Sequence, residues 1–233
     1  MDLGRVLSWA AERHPARRAV GGERPLSYRQ WDGWTNQLAR ALGALGVSPG
    51  ARVVALVGGG EPLASLHLAL QKLGAATVPL STRYGVKDLA YCIGDAAPAL
   101  VVSDAPLDPL LDAALVPVPE PPPRAHVGED PPDGVPSLTL LAASQPDGSL
   151  GVRVEDEAAS VMLYTSGTTG APKGVPRSHR AELWAAMAHV LQAGYRDGEI
   201  ALGAMPLFHT MGMRSLLASL VIGGTWVPQT RFD

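Results

Sequence analysis

TSGTTGAPKG occupies residues 165–174, directly after the apolar run of residues 158–164. Gly167, Gly170 and Gly174 can adopt backbone angles closed to other residues, and they leave room for an anion to reach the main chain. Successive exposed N–H groups in such a loop form a concave nest for phosphate oxygens. Thr165, Ser166, Thr168 and Thr169 add four hydroxyls within five residues, and Lys173 adds a full positive charge. A hydrogen bond to a charged group contributes about 1.5–3 kcal/mol net, so a few such contacts suffice to hold a triphosphate. A Gly/Ser/Thr run on its own is usually just a turn. Here it follows an apolar strand and closes on Pro172-Lys173-Gly174, a much rarer combination. The common P-loop, G-x-x-x-x-G-K-[ST], does not fit, because Pro172 stands five residues after Gly167 and Gly174 follows the lysine. Gly58-Gly59-Gly60 is no dinucleotide fingerprint either, because the third glycine would fall on Leu63; it reads as a turn between strand and helix.

Outward from the loop, strand-like and helix-like stretches alternate. Leu3, Val6, Leu7 and Ala10 fall at helical spacing, so the chain opens with an amphipathic helix rather than a signal peptide. Ser27 and Gln30 have the form of a capping box for a helix running to about Leu45 and ending at Gly46. Residues 52–57 read as a buried strand, 62–73 as a helix stopped by Gly74, 76–80 as a strand, 86–93 as a helix and 99–103 as a third strand. That order predicts βαβ units and a parallel sheet. Residues 117–136 hold eight prolines; they cannot supply ladder donors, which predicts an extended surface linker or a long loop inside one domain. Beyond it, residues 158–164 read as a strand and 174–177 as a returning strand. Ser178 caps a helix to about Ala193, a helix follows over 211–222, and 225–227 form a last strand. No internal repeat is present.

Composition narrows the function classes. The 233 residues are 46% hydrophobic, which is globular, and the formal net charge of -3 argues against nucleic acid as the main partner. No run of about 18 apolar residues predicts a membrane span. The single cysteine, Cys92, excludes an internal disulfide and makes a cytoplasmic setting the expectation. It lacks a nucleophile's surroundings. His67, His126 and His189 have no metal-site spacing, and His179 reads as the start of a helix. Met205, Met211, Met213 and Trp184 could line an acyl pocket, although apolar residues at helical spacing are more often core.

YTSGTTGAPKGV (residues 164–175) resembles the phosphate-binding signature of the adenylate-forming superfamily, which contains acyl-CoA synthetases, luciferases and peptide-synthetase adenylation domains. LSYRQW (26–31), GVSPGARV (46–53), LQKLGAATVPL (70–80), SHR (178–180), MPLFHTMGM (205–213) and GGTWVPQTRFD (223–233) resemble the family's other landmarks in order. The P-L-F-H form is similar to acyl-CoA synthetases, with a role in fatty acid metabolism among the expectations. The resemblance implies an α/β fold: part of the large N-terminal domain, with parallel-rich sheets flanked by helices. Residues 1–116 would be a first subdomain portion, 117–157 the linker or loop, and 158–233 the phosphate-loop portion. It implies that a carboxylic acid and ATP give an acyl adenylate and pyrophosphate, with coenzyme A accepting the acyl group.

By the same resemblance Thr165, Ser166, Gly167, Thr168, Thr169, Gly170 and Lys173 would hold the β- and γ-phosphates. Thr165 would contact Mg2+, and His209 would stand as a catalytic residue at the entrance to the acyl and adenylate site. The family's adenine segment, magnesium-sharing glutamate, ribose-binding aspartate and C-terminal domain have no counterpart in these residues. The expectation is therefore a fragment with little activity alone, which pairs with a missing half or self-associates through unpaired sheet edges. The alternative is a non-catalytic nucleotide-binding or interaction module.

Overall fold

The structure, a computed structural model, describes residues 2–165 and 171–229. Helix α1 (Gly4–Arg13) buries Val6, Leu7 and Ala10 on one face. Two short strands, β1 (Arg18–Val20) and β2 (Leu26–Ser27), lead into α2 (Tyr28–Ala44). The capping box is present: the Gln30 amide donates to Ser27 Oγ at 3.3 Å and the Ser27 amide donates to Gln30 Oε1 at 2.9 Å. Such a cap contributes about 1 kcal/mol.

A doubly wound unit follows: β3 (Arg52–Leu56), α3 (Glu61–Leu73), β4 (Ala76–Pro79), α4 (Val86–Ala96), β5 (Leu100–Asp104), α5 (Asp108–Leu115), β6 (Arg124–Val127) and α6 (Leu138–Ala143). The chain then supplies β7 (Ala159–Thr165), β8 (Lys173–Ser178), α7 (His179–Ala193), β9 (Ile200–Gly203), α8 (Thr210–Val221) and β10 (Thr225–Pro228).

Six strands form one sheet in the order β6-β5-β3-β4-β7-β8, parallel throughout except that β8 runs antiparallel to β7. Four form another, β2-β1-β10-β9. Each sheet thus takes strands from both sides of residues 117–157. The larger sheet is covered on both faces. Val53 and Ala55 of β3 enter a core built with Trp31, Leu42 and Leu68, whereas Val54 and Leu56 pack with Cys92, Ile93 and Leu111. A strand buried on both faces reads as an unbroken apolar run, which is why β3 and β5 stand out in the sequence.

Residues 117–136 differ from the extended surface linker that their prolines predict. Strand β6 lies in the gap between the two proline clusters and pairs with β5 in parallel. Proline cannot donate, but its carbonyl still accepts: Val101 N–H donates to Pro123 O and His126 N–H to Pro136 O, both at 2.9 Å. The strand is at a sheet edge, where flanking prolines are tolerated. The side chains complete the fit. Buried His126 meets Asp108 at 3.0 Å and Arg124 reaches Asp112 at 2.5 Å.

Candidate functional site

β7 is fixed from below by a buried polar network. His67 Nδ1 and Thr77 Oγ1 are 3.0 Å apart, and Gln71 Nε2 donates to the Ser160 carbonyl at 3.1 Å. At the start of α7, buried His179 accepts the Leu3 N–H at Nδ1, 3.1 Å away. The upper end of β7 is tied to α4: the Tyr164 hydroxyl donates to Asp95 at 2.6 Å and also lies 3.1 Å from the Cys92 carbonyl. Burial, and then Asp95, raise the pKa of that hydroxyl, so Tyr164 is a structural tie and not an acid. Burial likewise pushes the Cys92 thiol up to about 12, which removes it as a nucleophile.

The β7–β8 hairpin sets Tyr164 opposite Gly174 and Thr165 opposite Lys173. A Cβ on residue 174 would stand 2.0 Å from Met162 Cε and 3.1 Å from the Tyr164 ring, so glycine suits the close approach there. Thr165 and Lys173 are both exposed at the open end of the hairpin. Ser166, Gly167, Thr168, Thr169 and Gly170, which the sequence assigns to the phosphate grip, lie outside the described residues.

His209 arrives from a different part of the chain. It is the N-cap of α8, in extended conformation, and its side chain makes no capping bond. Its ring is tilted against Phe208 with centroids 4.7 Å apart. Its amide donates to Pro206 O at 3.0 Å, and Met213 N–H donates to its carbonyl at 3.2 Å. The segment before it lies directly on the helix: a Cβ on Gly212 would stand 2.1 Å from the Pro206 carbonyl oxygen. Gly212 therefore sets how close Pro206–His209 comes to α8.

Thr165, Pro172 and His209 border one cleft of about 530 Å³. Its third wall, from the segment after β4 and the start of α4, presents Arg83, Tyr84 and Asp88. The volume falls within the roughly 300–1,000 Å³ of small-molecule sites. The first-turn N–H groups of α8, with no side-chain cap, give this rim the positive end of a helix dipole. Arg83 lines the cleft, and Lys173 follows Pro172 and pairs with Thr165 at its edge; both are exposed and neither makes an ion pair with a described residue. A phosphate chain suits such a donor set. For a divalent ion the fit is thinner. The cleft offers the Thr165 hydroxyl and one carboxylate, Asp88, and among the described residues no group of three His, Cys, Asp or Glu side chains could hold a metal.

The candidate acyl-pocket residues are dispersed. Met213 is in the core, Trp184 is 64% exposed, and Met205 and Met211 are exposed; none lines the cleft. Arg83, Tyr84, Asp88 and Gly212 escaped the sequence reading. For Arg83 a signal existed, because it follows the carboxyl end of a buried parallel strand, where ligands of such sheets collect.

Residues 7–233 match the family model described as AMP-binding enzyme. A long-chain-fatty-acid–CoA ligase, FadD13, from Mycobacterium tuberculosis is 31% identical over 216 residues, covering 89% of this chain and 40% of the relative. A 3-hydroxybenzoate–CoA ligase from Aromatoleum sp. is 29% identical, covering 96% of this chain and 42% of the relative. The crystal structure of the N-terminal domain of FACL13 from M. tuberculosis superposes with a TM-score of 0.90 at 25% identity, over all of this chain and 58% of that one. The chain thus spans about two fifths of the length of the curated relatives it matches. Its mixed α/β architecture, with parallel-rich sheets flanked by helices, is that of the N-terminal domains of adenylate-forming enzymes.

Proposed function

The chain belongs to the AMP-binding enzyme family, and on that premise we propose that it carries the triphosphate grip and one substrate wall of an AMP-forming acid–CoA ligase. The observation that carries the proposal is the convergence of Thr165 and Pro172 from the β7–β8 hairpin with His209 from the start of α8 on one cleft. These segments are separated in sequence, and the cleft joins them around space sized for a small anion-bearing ligand.

In the proposed reaction a carboxylate oxygen bonds to the α-phosphorus of ATP while the bond to pyrophosphate breaks. The acyl adenylate then yields its acyl group to the thiol of coenzyme A, releasing AMP. Both reactants of the first step are anions, so positioning and charge neutralisation dominate. Lys173 and the Thr165 hydroxyl hold the outer phosphates, with residues 166–170 of the loop. Of the described residues Thr165 would contact Mg2+, which would neutralise phosphate charge. His209 borders the acyl and adenylate end of the cleft, and the α8 amides add positive field there. The relatives' names span long-chain and aromatic acids at nearly equal identity, so the substrate assigned is a carboxylic acid as a class. A cytoplasmic setting fits the lone, buried thiol of Cys92.

The test is exchange of labelled pyrophosphate into ATP with magnesium and a panel of long-chain and aromatic acids. It is run on the chain alone and with the complementary part of a relative supplied in trans. Exchange that depends on both the acid and Lys173 supports the assignment. Exchange that needs no acid, or that is unchanged in Lys173→Ala, refutes it.

A further inference from the structure

A second cleft, of about 620 Å³, opens at the carboxyl ends of β3 and β6, between α2, α3 and α6. It shares no lining residue with the cleft that holds Thr165 and His209. The strands β4-β3-β5-β6 have the doubly wound order 2-1-3-4, and the carboxyl ends of such strands are where open α/β sheets bind ligands. Trp34, Leu38, Leu66 and Leu138 form an apolar wall, while Glu61 and Glu129 bring carboxylates to it.

Glu61 is built into this cleft and does not merely project from the surface. Its Oε1 accepts a hydrogen bond from fully buried Ser65, whose Oγ in turn accepts the Trp31 indole N–H at 2.7 Å. The chain Trp31–Ser65–Glu61 holds the carboxyl group in one orientation at the head of α3. Burial raises its pKa, with the Ser65 bond and Arg24 acting the other way. A partly desolvated carboxylate gains most from a cation brought to it. Among the described residues, Arg24 is the one cation on the lining against two carboxylates, so an anionic guest would meet net repulsion.

We propose that this cleft is a second ligand site, for a small amphipathic amine whose ammonium group pairs with Glu61 and whose apolar body lies on Trp34 and Leu66. The site is independent of the adenylating cleft and stands whether or not the ligase assignment holds.

The experiment titrates the 15N-labelled 233-residue chain with cyclohexylmethylamine, cyclohexylmethanol and cyclohexanecarboxylate, three guests of one shape and different charge. The indole N–H resonances of Trp34 and Trp31 report on the wall and on the relay to Glu61. The amine is expected to shift both saturably and to bind about tenfold or more tighter than the alcohol, the gain from one charge-assisted hydrogen bond. Glu61→Gln is expected to reduce the amine to the alcohol's affinity. Equal affinity of amine and alcohol for the unmodified chain, or amine shifts that bypass Trp34, would overturn the proposal without recourse to a variant. A preference for the carboxylate at these two indoles would overturn its charge assignment.

Discussion

Replacing Gly212 with alanine should damage this protein through backbone alone. The added Cβ would lie 2.1 Å from the Pro206 oxygen, 2.6 Å from the Pro206 carbonyl carbon and 2.7 Å from the Met205 oxygen. All three are main-chain atoms, so no side-chain rotation relieves the contact. To reach ordinary van der Waals separation at 3.4 Å the segment must retreat by about 1.3 Å. Overpacking of this kind costs about 3 kcal/mol at the upper end of the usual range. Alanine returns about 1 kcal/mol in helix propensity. The remainder, about 2 kcal/mol, lowers the melting temperature by roughly 4–8 °C for a chain of this size. His209 sits at the end of the displaced segment, and a misplacement near 1 Å lowers a catalytic rate on the order of a hundredfold. Thermal unfolding followed by circular dichroism gives the first number, and acid-dependent pyrophosphate exchange with the complementing part of a relative gives the second. A Gly212→Ala protein that melts at the original temperature or above would refute the reasoning, because propensity alone would then govern the site.

Acid sensitivity should trace in part to His67, whose pKa is lowered from 6.5 to about 3 by burial and by neighbouring His179. Its folded value is below its unfolded one, so the unfolded chain takes the proton first. Well above pH 6.5 the group is neutral in both states and costs nothing; as the pH falls below about 6.5 towards 3 it removes stability progressively, on the order of 1 kcal/mol per pH unit. Urea unfolding at pH 7, 6, 5 and 4 should show a shallower loss in His67→Gln than in the unmodified chain, and parallel slopes would count against this. Tyr164→Phe removes the bonds to Asp95 and the Cys92 carbonyl. Asp95 is exposed and regains water, so the expected cost is about 1 kcal/mol, or roughly 2–4 °C in melting temperature; a loss several times larger would mean the hydroxyl does more than tie β7 to α4.

What the sequence revealed and what it hid have physical reasons. β3, β4 and β5 are buried on both faces, and Ser27 and Gln30 cap α2 by purely local bonds, so near neighbours carry those signals. The hairpin holding Thr165 and Lys173 was legible for the same reason. β6 was hidden because Arg124 and His126 look like surface residues until Asp112 and Asp108 are placed beside them by α5. The prolines around it argued only about donors, while the fold uses their carbonyls. Gly212 reads as an ordinary glycine in a helix, because the contact that requires it comes from Pro206 after the chain has turned. Arg83, Tyr84 and Asp88 join the cleft only when β4 and β7 become neighbours, a pairing between strands separated by α4, β5, α5, β6 and α6. The second cleft was invisible for a related reason, since Glu61 gains its meaning from Ser65 one turn on and Trp31 on another helix.

The most direct test of the phosphate grip uses inorganic tripolyphosphate, which needs no adenine site. Titrated into the 15N-labelled chain, it is expected to shift the amides of Thr165, Lys173 and Thr210–Gly212 together and saturably. Lys173→Ala should weaken that binding by about tenfold or more, the loss of one charge-assisted contact. Shifts absent from these positions, or an affinity that Lys173→Ala leaves unchanged, would contradict the assignment.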